Sequence, residues 1–493
     1  MGKASVLITT EGTYPCYSGG VSVWCDYLIR YLDDVDFRVF AITHSPSQGM
    51  HFTCPPNVSS CTLHPMWGTE EPGTNQRTFA EAHQRKMQTL EGALAKKFLP
   101  HLNAALPPLL TSDSRPEVLA SALFGLHEYF RNHDYAASMQ SRLAWELFLD
   151  AVSMSDLNLD LHEATQCMRW LQRYLSLLAV EYPCVDVVHS SMAGLAGIPG
   201  VLCKLRHGSA YVLTEHGIHL RELYLALSNC GYSTRSRRFL VRFHHAITRM
   251  NYYLADVVTT LGEFNRRWQI RFGVDAKKIR VVHNGVDPLK YYPRTSAQRT
   301  RPTVLTMARI FRLKGIDVLI RAAAHVRDHV PDVLFQVLGD VADQEYFAEC
   351  QELIRQHRLA DHVSFSVTRD SASAYSQADL LCLPSLSEGL PYVVIEAMLS
   401  GCPVVATDVG NVADLVRDTA LVVTPNDPGE LAAAILRLLS GPDAAKLRAS
   451  LAHSALERAR RHFTIAEFSN SFRNMYMELA FEQNTAALSR AAS

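Results

Sequence analysis

The chain has 493 residues, 48% of them hydrophobic and 20% charged, the composition of a folded protein too long for one ordinary core. Its 48 basic and 49 acidic side chains leave a net charge of −1, so no electrostatic footprint for nucleic acid or for an anionic membrane is encoded. The 11 cysteines form no CxxC pairs and no regular framework, which excludes a zinc ribbon and a disulfide scaffold.

The opening MGKASVLITT reads as a first strand and not as a signal peptide. No run of about 18 uncharged apolar residues follows, so a cytoplasmic protein is expected and the sequon at Asn57 is an accident. Residues 4–10 read as a buried strand, followed by a turn-rich loop that ends in Gly19-Gly20. A helical pattern from Val21 to about Leu32 and a strand at Phe37–Thr43 complete a βαβ unit, which implies a parallel sheet. From Phe79 to Val180 the rhythm changes to helical spacing rich in Leu, Ala, Glu, Arg and Gln, a helical insertion. Strand and helix alternation resumes at Val185–His189, a helix near 194–206, Ala210–Thr214 and a strand ending at Leu261. The turn-rich His283-Asn284-Gly285-Val286-Asp287-Pro288 fits an interdomain hinge. Beyond it, strands fit at 303–308, 333–338, 363–367, 379–384, 403–406 and 421–423, and a last helix at about Ile465–Phe481.

The pattern predicts an α/β chain of two doubly wound, Rossmann-like domains facing a cleft. Residues 1–290 form the first, with the helical insertion at 79–180. Residues 291–464 form the second, and 465–493 carry a helix that packs back across the boundary.

Such sheets bind ligands at the carboxyl ends of their strands, so the loops that follow strands are informative. SEGLPYVVIEAM follows the strand ending at Leu383. Pro391 suits a first helical turn and Gly401 a helix stop, which leaves the N–H groups near Gly389 and Leu390 facing a ligand. Glu388 precedes that helix and Glu396 lies in its second turn. Taken singly, they fit a cap and a solvated side chain as well as a ligand pair. ARIFRLKG after the strand at 303 sets Arg309 and Lys314 to converge on one dianion, although alone it also reads as an exposed basic loop. Gly19 and Gly20 allow close backbone approach at a helix start. The loop is not GxGxxG, so NAD is not indicated. In TEHGIHLRE, His216 either meets a substrate hydroxyl or serves the backbone, and His219 and Arg221 stand beside it.

Arg309 with Lys314, and Glu388 with Glu396 in an E-x7-E pattern, resemble the retaining glycosyltransferases of family GT4, which have the GT-B fold. EGTYPCYSGGVSVW, TEHGIHLRE and GDVADQEYFAEC are most similar to the PelF-like branch, cytosolic enzymes of exopolysaccharide synthesis. The resemblance implies that Arg309 and Lys314 hold the donor diphosphate and Glu396 the ribose hydroxyls. It places Glu388, with the amides of Gly389 and Leu390, by the donor hexose. Gly19 and Gly20 would approach the phosphates, and His216 the hexose or the acceptor. Catalytic work would thus fall on Glu388, His216, Arg309 and Lys314.

The expected function is metal-independent, retaining hexosyl transfer from a nucleotide sugar, with UDP-glucose preferred, to a saccharide acceptor in exopolysaccharide or glycan synthesis. No cofactor is implied. A membrane-bound polysaccharide synthase fits as a partner, and the oligomeric state stays open. Asp34-Val35-Asp36 mimics a metal-binding DxD but precedes a strand, at the wrong end of the sheet. The alternatives are a catalytically weak GT-B scaffold subunit and a nucleotide-sugar epimerase; a phosphorylase would need a pyridoxal-phosphate lysine that no segment suggests.

Overall fold

Runs such as Val6-Leu7-Ile8, Leu380-Leu381-Cys382-Leu383 and Val404-Val405-Ala406 are apolar at every position, as strands buried on both faces must be. In the computed structural model they lie at the centre of parallel sheets. The structure describes residues 3–69, 77–113, 115–228, 230–294, 301–368 and 370–491. Ser114, which falls within the expected helical insertion, lies outside them, as do the end residues 492 and 493 of the expected last segment. The chain divides into two units: Met1–Thr260, Arg266–Arg280 and Phe472–Ser493 form one, and Leu261–Asn265 with Val281–Ser471 the other.

The first unit holds β1 (Ser5–Glu11), β2 (Asp36–Thr43), β3 (Val58–Pro65), β4 (Val187–Ser190), β5 (Ala210–Glu215), β6 (Val257–Thr260) and β7 (Ile279–Val281). Their order is β3-β2-β1-β4-β5-β6-β7. Register is parallel, with Val6 opposite Phe37 on one side and Val187 on the other. The sequence does not predict β3. Ser59, Ser60 and Thr62 give it no apolar signal, because it is an edge strand with only part of its length buried.

Between β3 and β4 the chain is helical. Thr78 and Asp160 open two of these helices with capping boxes closed by Glu81 and Glu163. Leu102, Leu106, Leu123, Leu126 and Phe148 share one continuous core with Leu7, Phe40 and Ile42 of the sheet. They share it also with Phe239, Phe243 and Ile247 of the long helix Thr234–Leu254. The inserted helices therefore thicken one face of the sheet.

The second unit holds β8 (Thr303–Met307), β9 (Leu334–Leu338), β10 (Val363–Ser366), β11 (Leu380–Leu383), β12 (Val404–Thr407) and β13 (Leu421–Val423), in the order β10-β9-β8-β11-β12-β13. Both sheets reverse direction of winding beside their first strand, at β1/β4 and at β8/β11. These are the switch points at which doubly wound sheets open a crevice. Among the described residues no helix is long and apolar enough to cross a membrane.

The last helix spans Ile465–Ala491, and from Phe472 onward it belongs to the first unit. There Tyr476 Oη lies 2.5 Å from His189 Nδ1, and His189 Nε2 lies 2.6 Å from Thr214 Oγ1. Phe472 and His189 both stand edge-on to Trp24, with ring centroids 5.5 and 5.3 Å away. Burial pushes His189 down to about 3, so the imidazole is neutral and has one donor and one acceptor to satisfy. Tyr476→Phe strips one of those partners. It should cost about 1–3 kcal/mol, read as a lower urea midpoint for the transition of the first unit.

Candidate active site

At the β8 exit the chain turns through Arg312–Lys314 and reaches Gly315 at φ +61° before the helix Ile316–Arg327. A Cβ on Gly315 would fall 2.1 Å from the Pro384 carbonyl oxygen, so only glycine lets this loop press onto the end of β11. Leu386 N donates to Leu313 O at 2.8 Å and ties the two loops together. The result is an ion pair across the switch point. Lys314 Nζ lies 2.6 Å from Glu388 Oε1, with side chains 21% and 9% exposed. Ser385 Oγ donates to the same carboxylate oxygen at 2.6 Å. The Arg309 guanidinium and the Lys314 ammonium lie 5.5 and 5.8 Å from the centroid of one ring, Phe311.

The Glu388-Gly389-Leu390 backbone is held from outside. Gly389 O accepts from Asn411 N at 3.0 Å and from Asn411 Nδ2 at 3.2 Å. Leu390 O accepts from the buried amide of Asn284 at 2.8 Å. Gly410, at φ +59°, packs where a Cβ would lie 1.9 Å from Glu388 O. Pro391 is the cap of the helix and not its first residue, which is Tyr392; Gly401 ends it at φ +68°. Val394 N donates back to Pro391 O at 3.2 Å, and no side chain caps the N–H groups of Tyr392 and Val393.

Glu396 has a separate set of partners. Tyr375 Oη donates to its Oε2 at 2.7 Å. Burial pushes the carboxyl above the ordinary range, opposed by hydrogen bonds from Tyr375 and Tyr291 and by the charge of Lys290. Ser385, Phe311, Tyr375 and Asn411 are site residues that no motif singled out. Phe311 sits inside the basic loop already flagged; the others carry no spacing signal.

In the first unit, Gly19 caps the helix Gly20–Arg30 with no side-chain hydrogen bond, and a Cβ on Gly19 or Gly20 would meet nothing within 4 Å. Open space therefore surrounds this helix start. His216 follows β5 and stands edge-on to Trp24 of that helix, centroids 4.7 Å apart, so the Gly19-Gly20 turn and His216 are joined through one indole. Burial pushes His216 down to about 3 and keeps it neutral. His219 Nε2 lies 3.3 Å from His244 Nδ1, in the same buried cluster as Glu215. Arg221 lies in the first turn of the helix His219–Ser228. Asp34 pairs with Arg473 at 3.0 Å, and Asp36 begins β2, so the DxD look-alike lies at the amino end of the sheet. Among the described residues, no three His, Cys, Asp or Glu side chains gather as metal ligands do.

Glu215 accepts from Tyr252 Oη at 2.5 Å and from Gln269 Nε2 at 3.2 Å, and burial raises it to about 7. A raised carboxyl binds its proton more tightly in the folded state. Its stabilising share is whole below the unfolded value of 4.5 and is lost as pH rises through 7. Glu215→Gln should therefore melt with a flatter pH profile between pH 4.5 and 7.5. The wild type should lose about 3 kcal/mol relative to the variant across that window.

Residues 4–277 match DUF3492, a domain of unknown function, and residues 292–458 match the glycosyl transferases group 1 family. The D-inositol 3-phosphate glycosyltransferase of Salinispora tropica is 30% identical over 326 residues, 61% of this chain and 65% of that protein. That of Salinispora arenicola is 29% identical over 305 residues, covering 56% and 64%. The matched segments span slightly less than two thirds of either relative's length. Sucrose-phosphate synthase of Thermosynechococcus elongatus superposes with a TM-score of 0.61 at 19% identity, covering 97% of this chain and 99% of that one. Anabaena HepE in complex with UDP superposes at 0.60 with 15% identity, covering 96% and 100%. The fold is thus that of GT-B glycosyltransferase structures, and the chain belongs to the DUF3492 family, with a glycosyl transferases group 1 domain at residues 292–458.

Proposed function

We propose that the protein is a retaining, metal-independent hexosyltransferase of family GT4, nearest the PelF-like branch. It moves glucose from UDP-glucose to a saccharide acceptor in cytoplasmic exopolysaccharide or glycan synthesis. The observation that carries this reading is the Lys314–Glu388 pair, with Ser385 on the same oxygen, at the β8/β11 switch point. Anabaena HepE, which shares the fold, has been solved in complex with UDP and with UDP-glucose.

In this reading Arg309 and Lys314 take the diphosphate, with the Phe311 ring 5.5 and 5.8 Å from the two charges. The N–H groups of Tyr392 and Val393, at the start of the helix Tyr392–Leu399, add donors to the same anion. Lys314 is shared between Glu388 and the phosphate, so Glu388 sits one ion pair away from the anomeric centre and accepts from hexose hydroxyls. Glu396, held by Tyr375, accepts from the ribose. Gly19, Gly20 and His216 serve the phosphates and the acceptor from the first unit. The bond from the anomeric carbon to the phosphate oxygen breaks, and the acceptor oxygen bonds to that carbon on the same face. The acceptor proton passes to the departing phosphate. Charge on that leaving group is what the two cations stabilise, and removing such a group commonly costs about 10²–10³ in kcat.

The test is a thermal-shift panel of UDP, GDP, ADP, UDP-glucose, UDP-N-acetylglucosamine and NAD, with a transfer assay. UDP and UDP-glucose should raise the melting temperature of the wild type, and Arg309→Ala with Lys314→Ala should abolish both the shift and transfer. An unchanged shift in the double variant, or stabilisation by none of them, overturns the reading. Glu396→Gln should raise KM for the donor about tenfold with kcat nearly unchanged, because the ribose contact is the same in ground and transition states.

A further inference from the structure

A cavity of about 420 Å³ lies in the first unit, away from the β1/β4 switch point. One wall is Pro65, Met66 and Trp67, the residues that leave the carboxyl end of the edge strand β3. The other comes from the inserted helices Tyr135–Met139 and Leu161–Tyr174. Its size is that of a small-molecule site, in the range of about 300–1,000 Å³.

Among the described residues its charge is one-sided: Arg169 and Arg173 line it one helical turn apart, and no acidic residue lines it. Like charges at this spacing repel. Elsewhere in the chain the same spacing pairs opposite charges, as in Asp26 with Arg30 and Arg142 with Glu146. Arg173 is fixed: its guanidinium stands 6.0 Å over the Trp67 ring, and it donates to the Thr69 carbonyl. Arg169 is exposed and has no hydrogen bond or ion pair among the described residues. The rest of the wall is built: Gln172 Nε2 donates to Met139 O at 2.9 Å, and Tyr135 Oη donates to Gln172 O. Trp67, Met66 and Met139 give the same lining its apolar part.

We propose that this cavity binds an anionic saccharide, its acidic group on Arg169 and Arg173 and its ring against Trp67 and the methionines. A bare anion would leave the apolar wall unused, and a neutral sugar would leave two cations facing each other. The acidic group and the ring body follow from the cavity; the choice of a sugar rests on the transferase reading. On that reading the site grips an acceptor chain on the same sheet edge as Gly19, Gly20 and His216, two strands along from β1.

Titration calorimetry with trigalacturonate, glucose 6-phosphate, maltotriose and inorganic phosphate tests this on the full chain. Trigalacturonate or glucose 6-phosphate should bind, whichever is tighter identifying a carboxylate or a phosphate as the acidic group. Arg169→Gln and Trp67→Ala should each weaken that binding about tenfold, and maltotriose should bind at least tenfold more weakly. Arg169→Gln alters an exposed side chain with no partner among the described residues, so its fold should be intact by circular dichroism. The Arg309→Ala, Lys314→Ala double variant should bind the acidic sugar as the wild type does. This keeps the result independent of transfer, since binding here with no transferase activity would refute only the previous reading. Inorganic phosphate binding as tightly as the sugars, binding unchanged in Arg169→Gln, binding lost in the double variant, or no binding at all would each overturn the proposal.

Discussion

Reversal of strand order beside β8 is the constraint on which the second unit's chemistry depends. A parallel sheet buries its strands on both faces, so polar side chains gather only where strands end. Where winding reverses, the helices that follow β8 and β11 pack into different cores, and the loops that lead to them meet over the sheet edge between them. Lys314 and Glu388, 74 residues apart in sequence, meet across it at 2.6 Å. The close approach needs Gly315 and Gly410, because each packs against a carbonyl oxygen where no Cβ fits. The side-chain amides of Asn284 and Asn411 donate to the carbonyls of Leu390 and Gly389 and hold the acidic loop from behind. The ion pair is thereby set in a rigid frame, where its geometry costs little further ordering.

In the first unit, burial replaces charge pairing as the organising force. His189 and His216 surround Trp24 and are both pushed down to about 3. Glu215, one residue before His216, is pushed the other way, to about 7. Desolvation disfavours whichever form is charged, so bases fall and acids rise in the same surroundings. The first unit's sheet edge therefore keeps its buried imidazoles neutral, while the second unit sets the Arg309 guanidinium near the Phe311 ring that the paired Lys314 also approaches. The inserted helices extend that edge, since they share a core with β1 and β2 and place Arg169 and Arg173 opposite the end of β3.

Much of this was legible before any coordinates. Apolar runs of four to six residues marked the central strands, and Arg309, Lys314 and Glu388 stood out because they follow such runs, Glu396 because it lies in the helix that comes next. Edge strand β3 was not legible, since a strand buried on part of its length needs no continuous apolar signal. Nor were Tyr375 and Ser385, whose hydroxyls acquire meaning only from the carboxylates they meet. Placing Pro391 inside the helix missed by one residue, because the preset φ of proline also serves at a cap.

By itself the sequence determined which segments are strands and helices in the two sheets' interiors, and which cations and carboxylates stand at strand exits. Those are local properties: hydrophobic periodicity and turn chemistry act over a few residues and are written contiguously. Tertiary structure alone decided which of them meet. Pairing Lys314 with Glu388, setting Glu396 on Tyr375, sharing one core between sheet and inserted helices, and bringing two arginines to face Trp67 all depend on strand order and packing. Contacts between residues tens of positions apart are selected by the burial of the whole sheet, and no short stretch of chain carries that information.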